Sequence, residues 1–316
     1  MPISKRKDEH IKFALKQSNQ ENDFDLIKLD HLSLPKFDLE DINLETNFLG
    51  YKSSFPFYIN AMTGGSKKAK HVNEKLAYIS QKYNIPIVLG SQSAALKDES
   101  LIPTYKIVRD INKNGFIVAN ISANYDSKDA LKAIKMIDAN AISIHLNVIQ
   151  ELVMSEGDRK FSHWKDNIID ILENIKIPII IKEVGFGMSK ETIENLTKLG
   201  VKNIDISGRG GTNFAIIERE RKNSTDILFD NLGISTVDSL INAKEYDVNV
   251  FASGGIRNAL DIFKALTLGA KAVGLSSFFL KLTNLSYNEI DNEVDKLISN
   301  LKKIFLIYGK KTLNDF

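Results

Sequence analysis

The sequence predicts an α/β protein: a closed (β/α)8 (TIM) barrel with an N-terminal arm and a C-terminal helix. Three observations predict it. Eight short apolar runs recur between residues 56 and 275, and helical patterns separate most of them. Such alternation implies βα units and a parallel sheet. Eight units in a stretch of this length fit a closed barrel better than a doubly wound sheet. Finally, every run ends in small, polar or glycine residues, and the C-terminal strand ends are where chemistry sits in such barrels.

In chain order, residues 1–20 read as an amphipathic helix, with Ile11, Phe13, Ala14 and Leu15 behind the basic head Lys5-Arg6-Lys7. Residues 21–55 hold short apolar pieces broken by Asp, Asn, Pro and Gly, an arm with a small hairpin. The strands are predicted at Pro56–Ala61, Pro86–Leu89, Phe116–Asn120, Ala141–His145, Pro178–Lys182, Asn203–Ile206, Val248–Ala252 and Ala272–Leu275. The helical patterns are Lys67–Tyr83, Leu101–Asn112, Lys128–Asp138, His163–Asn174, Lys190–Leu199, Val237–Tyr246 and Asn258–Leu268. The connection from Gly208 to Ser235 is too long for an ordinary strand-to-helix loop, and such loops often act as lids or binding loops. Beyond Ser286 a last helix is expected, Leu297 and Leu301 marking one face. No second boundary appears. One domain is expected over 1–316: arm 1–55, barrel 56–284 and C-terminal helix 285–316.

Composition excludes several classes. With 43% hydrophobic and 26% charged residues the 316-residue chain can build a real core. A net charge of +2 is too small to imply nucleic-acid binding, so any anion site must be local. Cysteine is absent, which removes disulfides, thiolate zinc sites, iron–sulfur clusters and thiol nucleophiles. The charged N-terminus lacks a signal-peptide core, and no apolar stretch approaches the ~18 residues of a membrane span. A cytoplasmic protein with no membrane partner is expected.

The stretch from Ala141 to Glu151 organises the rest. Its Ile-rich half reads as a buried strand, and its end then carries His145, Asn147, Gln150 and Glu151 within seven positions. A capped βα turn would account for one polar residue more easily than for four. Lys182 closes the all-apolar run Ile179-Ile180-Ile181. Burying it is costly unless it meets an anion: a carboxylate, a phosphate or the N1–C2=O edge of a reduced flavin. The alternative is an ion pair with Glu183 or Asp205. Gly254-Gly255, just before a helix start near Asn258, offers backbone donors of the kind that bind phosphate after strand 7. Glu151 suits magnesium, which takes one or two carboxylates and completes its shell with water and phosphate; from spacing alone a solvated carboxylate is the simpler reading. Arg6 and His10 fall one helical turn apart and could face one anion.

Taken as an ordered set, these residues resemble the type 2, FMN-dependent isopentenyl-diphosphate isomerases over nearly the whole chain. The set runs through Arg6-Lys7-Asp8-Glu9-His10, Met62-Thr63-Gly64-Gly65, Ser91-Gln92, His145-Leu146-Asn147 and Gln150-Glu151. It continues through Lys182 to Gly187, Ser207 to Phe214, and Ser253-Gly254-Gly255-Ile256-Arg257. The resemblance implies a barrel holding FMN and acting on isopentenyl diphosphate with magnesium. It places FMN on Met62, Thr63, Gly64, Ser91, Asn120, Lys182, Ser207, Thr212, Gly255, Ile256, Arg257, Ser276 and Ser277. The diphosphate falls to Arg6, Lys7, His10, Ser91, Gln92, Ser93, His145 and Asn147, with Gln150 beside the isoprene unit and Glu151 on the metal. Gln150, His145 and Asn147 are the implied catalytic residues. The family often has Arg after Ser-Gln where this chain has Ser93, so other basic groups are needed there. Reduced FMN would relay the proton, with NADPH as reductant; a homo-oligomer is expected.

Two rivals remain at the level of sequence. An FMN-dependent 2-hydroxy-acid oxidase on the same barrel would use a His base with Arg groups, which His145 with Arg209 or Arg257 could imitate. A catalytically silent phosphate-binding barrel would bind no FMN.

Overall fold

A computed structural model of the chain describes residues 3–17 and 22–316. Its elements are α1 (Ile3–Lys16), a hairpin of β1 (Thr46–Phe48) and β2 (Tyr51–Ser53), β3 (Phe57–Ile59), α2 (Lys67–Tyr83), β4 (Ile87–Val88), α3 (Ser93–Lys97) and α4 (Pro103–Ile111). Then come β5 (Ile117–Ser122), α5 (Ser127–Ile137), β6 (Ala141–His145), α6 (Val148–Val153), α7 (Trp164–Asn174), β7 (Ile179–Lys182), α8 (Lys190–Lys198) and β8 (Asn203–Asp205). The chain ends with α9 (Phe214–Arg221), α10 (Thr236–Ala243), β9 (Asn249–Ser253), α11 (Ala259–Thr267), β10 (Ala272–Leu275), α12 (Ser277–Leu282) and α13 (Tyr287–Ile307). Strands β3 to β10 pair in parallel and in sequence order, and β10 closes on β3: a closed eight-stranded barrel. All eight predicted strands are present, most of them trimmed at an end. Residues 1, 2 and 18–20 of the predicted first helix, and residue 21 of the arm, lie outside the described residues.

The strand period of two sorts the side chains. Ile59, Ile87, Ile117, Ile142, Ile144, Ile181, Ile204 and Val273 join the helices in the larger core. Their neighbours Tyr58, Val88, Val118, Ala141, Ile180, Phe251 and Ala272 form a second cluster inside the barrel. Phe48 from the hairpin completes it, 1% exposed, with ring centroids 5.1 Å from Tyr58, 5.6 Å from Phe116 and 4.8 Å from Phe251. Two positions further along the same strands the interior turns polar, at Asn60, Asn120, Ser143, Lys182 and Ser253. The apolar plug therefore becomes the floor of a polar site.

Four short helices, α3, α6, α9 and α12, follow strand ends and were not among the predicted helices. Helix α9 lies inside the 208–235 connection. Asn213 caps it, its side chain accepting from the N–H groups of Ala215 and Ile216. Among the described residues no helix is long and apolar enough to cross a membrane.

Candidate functional site

The C-terminal strand ends surround one cavity of about 860 Å³, within the size range of cofactor and substrate sites. Its floor is an ion pair. Register sets Lys182 beside Asp205 on the next strand, with Nζ 3.6 Å from Oδ2. Asp205 Oδ2 also accepts from Tyr58 Oη at 2.9 Å and Asn60 Nδ2 at 3.1 Å. Its Oδ1 accepts from Ser253 Oγ at 2.6 Å and the Ser207 N–H at 3.2 Å. Lys182 donates to the Glu183 carbonyl at 2.5 Å and lines the cavity. Lys182 thus has the Asp205 partner while facing the space where a ligand would lie.

On the β5–β6 side, His145 Nδ1 lies 2.9 Å from Asn120 Oδ1. The Asn120 amide nitrogen is committed to the Leu89 carbonyl at 2.9 Å, so its oxygen faces the ring and His145 Nδ1 carries the proton. Burial, with Lys182 and Lys7 adding to it, pushes the His145 pKa down to about 3. The imidazole is neutral, and Nε2 is left with its lone pair.

Gln92 is a correction. It is fully buried, donates to the Ala133 carbonyl at 2.9 Å and accepts from the Asn120 N–H at 3.0 Å. Its amide ties strand ends to α5 and does not line the cavity. Ser91 and Ser93 do line it, their hydroxyls 2.8 Å apart.

Helix α1 crosses the mouth. Ile11 and Ala14 are buried beneath it, and Gln17 exchanges two 3.0 Å hydrogen bonds with the Asn213 backbone. Arg6, Lys7 and His10 reach the cavity from the helix. His10 Nε2 donates to Glu218 Oε1 of α9 at 2.8 Å, and burial holds the His10 pKa below its ordinary value. Burial first, then the adjacent Arg6, pulls the Lys7 pKa down to about 8. Arg6 Nε is buried without an acceptor, and its Nη1 is 3.8 Å from Glu156.

Across the mouth, Asn147, Gln150 and Glu151 come from the end of β6 and from α6. Asn147 Nδ2 donates to Glu151 Oε1 at 2.7 Å, and the Asp158 N–H donates to Oε2 at 2.8 Å. Asn147 Oδ1 is buried without a donor. Burial raises the Glu151 pKa above its usual range.

The remaining wall is glycine-rich. Gly254 and Gly255 have φ of +91° and +72°, in the left-handed region that favours glycine. A Cβ on either would meet the backbone of Gly208 or Gly210, so the two loops touch main chain to main chain. Met62, Ser207, Thr212, Gly255, Ile256, Ser276 and Ser277 line this side. Thr63 and Gly64 do not: Thr63 is buried with Oγ1 unpartnered, and Gly64 faces the Tyr105 ring. Arg257 is present but committed, its guanidinium gripping Asp25 at 2.9 Å and Asp261 at 2.8 Å. It still lines the cavity, where the expected role places it, with its charge shared by two carboxylates.

Sequence reasoning missed Glu218, Asp205's role as the hub of the floor, and the cavity-lining Lys97, Arg159 and Lys160. Strand parity marks Asp205 as inward; nothing local marks the others. Among the described residues no group of three or more His, Asp or Glu could hold a metal unaided.

Comparison with known proteins bears on this site. Residues 109–315 match the FMN-dependent dehydrogenase family. Curated relatives named isopentenyl-diphosphate delta-isomerase match nearly end to end. The Listeria welshimeri protein is 45% identical, over 98% of this chain and 88% of its own. That of Latilactobacillus sakei is 46% identical, over 98% and 90%. Among solved structures, the flavin-binding domain of baker's yeast flavocytochrome b2 superposes with a TM-score of 0.66 at 19% identity, over 98% of this chain and 77% of that one. A mandelate oxidase with a monooxide FMN adduct gives 0.64 at 13%, over 97% and 90%. At these identities the structural likeness establishes the fold alone.

Proposed function

Because this chain belongs to the FMN-dependent isopentenyl-diphosphate delta-isomerases, we propose that it interconverts isopentenyl and dimethylallyl diphosphate, with FMN on the glycine-rich wall and magnesium at Glu151. One observation carries the reading. Three cationic or imidazole groups on α1 and the Asn147–Gln150–Glu151 set, well over a hundred residues apart in sequence, face one cavity.

The residues fit each group. Arg6 Nε lacks an acceptor and Lys7 is held at a lowered pKa, so both gain from an anion arriving between them. Asn147 Oδ1 is an orphaned oxygen beside the Glu151 carboxylate, an oxygen-rich corner that suits a hard cation completed by phosphate and water. Gly254 and Gly255 line the cavity ahead of α11, where backbone groups could meet a phosphate, and Lys182 offers charge from the floor.

When bound and reduced, with NADPH as the reductant, FMN supplies the acid–base group that an unactivated alkene requires and this cysteine-free chain lacks. The chain's own residues position the substrate. Arg6, Lys7, His10, Ser91 and Ser93 hold the diphosphate, so remote binding energy aligns the reacting end. Gln150 packs beside the isoprene unit, and α1 excludes water from it. His145, neutral and locked through Asn120, presents Nε2 as an acceptor and adds no charge to the pocket. A homo-oligomer in the cytoplasm remains part of the proposal, with light scattering to read the assembly.

The oxidase reading loses its parts. Arg209 is exposed and outside the cavity, and Arg257 is held by Asp25 and Asp261. A histidine with a pKa near 3 is also a poor base for a carbon-bound proton. The test is anaerobic turnover of isopentenyl diphosphate by oxidised and by prereduced enzyme, counting reductant. Turnover from the prereduced form alone, with reductant in catalytic amount, is the expected result. Equal rates from both forms, or one reductant consumed per product, would falsify it.

A further inference from the structure

We propose that Lys97 is a diphosphate-binding residue of this chain, closing on the anion from α3. The inference rests on the reading above and adds a contact to it. Ser91, Ser93 and Lys97 all line the cavity, and positions 93 and 97 lie one turn apart on α3, on the same face. The serines are neutral and answer each other at 2.8 Å. This segment therefore brings hydroxyls to the anion, and its charge comes from Lys97.

Apart from Arg6 and Lys7 on α1, three further cations around the cavity are already engaged. Lys182 pairs with Asp205, and Arg257 with Asp25 and Asp261. Arg159 donates to the carbonyls of Met154, Glu151, Gly157 and Asp158. Among the described residues, the cavity-lining lysines with no carboxylate within ion-pair distance are Lys7, Lys97 and Lys160. Lys160 adjoins Arg159 in the loop beside Glu151, on the side assigned to the metal. Lys7 reaches the cavity from α1 and is buried there, so it meets the anion from a different side. Lys97 is exposed, on a long stem, beside the serines assigned to the same phosphates. It can swing onto an exposed phosphate oxygen when substrate binds; in the free enzyme it stays solvated, so it is a point charge that orders late. Its loss should weaken binding and spare the chemical step.

The variant is Lys97→Gln, in FMN-loaded protein with magnesium, with Lys132→Gln on exposed α5 as a control for the general charge field. KM for isopentenyl diphosphate should rise about tenfold, the scale of one charge-assisted hydrogen bond, with kcat within about twofold. Binding of inorganic diphosphate, measured by calorimetry, should weaken by a similar factor. Adding Ser93→Arg to Lys97→Gln should restore both, because position 93 faces the same space. Unchanged diphosphate affinity in Lys97→Gln overturns the inference, as does an equal loss in Lys132→Gln. A fall in kcat and FMN content at constant KM also overturns it, marking Lys97 as structural. A parent enzyme that binds inorganic diphosphate but never isomerises the substrate refutes the function and leaves the calorimetric comparison to decide Lys97.

Discussion

Raising the pH should weaken substrate binding through Lys7, and the size of the effect follows from its surroundings. Burial, and then the charge of Arg6, brings its pKa to about 8 from the usual 10.5. The ammonium is the form that binds a diphosphate, and bound anion returns its pKa toward the ordinary range. Affinity is therefore flat below about pH 7 and falls once free Lys7 loses its proton. At pH 9, one unit above the pKa, about one molecule in eleven keeps the charge, so KM should rise about tenfold. A second signature is proton uptake on binding, largest near pH 9. His10 does not produce this limb, since its pKa is shifted downward. The assay is the pH profile of KM from pH 6.5 to 9.5, with calorimetry of diphosphate binding in two buffers of different ionisation enthalpy. Lys7→Arg keeps its charge throughout and should flatten the profile. A parent profile flat to pH 9.5, or the same alkaline limb in Lys7→Arg, would refute the reasoning.

Three further outcomes are expected. The flavin released from the purified protein should have the mass of FMN, because no dinucleotide fingerprint precedes any helix; FAD in the mass spectrum contradicts the site. Glu151→Gln should retain FMN yet lose magnesium-dependent turnover, and an unchanged magnesium titration would remove Glu151 from the metal. Phe48→Ala should cost about 3–5 kcal/mol, the range for a buried Phe lost from a core, since it is the plug shared by Tyr58, Phe116 and Phe251. Denaturant melts read this, and a loss below ~1 kcal/mol would mean the barrel end repacks.

Much of the barrel could be read from the chain, for a physical reason: strands buried on both sides carry Ile and Val runs, and turns carry Gly and Asn, so the signal is local. What failed was non-local. Helix α9 escaped because it sets the charged pair Glu218 and Arg221 inward, so it shows no clean apolar stripe; besides each other and Glu156, the groups that answer them include His10 and Glu9, about two hundred residues away on α1. Gln92 was assigned to the diphosphate by its place after a strand, but its side chain turns outward to α5. Arg257 lines the cavity, as its place after the glycine pair suggests; its ion pair with Asp25, from the distant arm, is the part that no local pattern shows. The Arg6, Lys7 and His10 set was legible, because helical spacing alone puts charges on one face; only the fold shows that the face covers a cavity.

Lys182 shows how a correct local inference can change its energetic meaning. A lysine ending an apolar strand demands an anion, and the structure supplies Asp205 at 3.6 Å while leaving the ammonium at the cavity. The field toward a ligand is then the difference between two opposite charges. Asp205 spreads its charge over Tyr58, Asn60, Ser253 and the Ser207 N–H, whereas Lys182 has one carbonyl and the carboxylate. The difference favours the cation on the cavity side, so on the proposed function Lys182 is expected to promote reduction of a bound flavin to its anion. Lys182→Met alone leaves a buried carboxylate without its counter-charge, and stability should fall by about 3–5 kcal/mol. Adding Asp205→Asn removes the unpaired charge and recovers part of that cost, the amide nitrogen taking the place of one of the two accepting oxygens. The pair should therefore fold and hold FMN while its flavin is harder to reduce than the parent's. A double variant whose potential matches the parent would mean that Lys182 and Asp205 cancel and that the floor is purely structural.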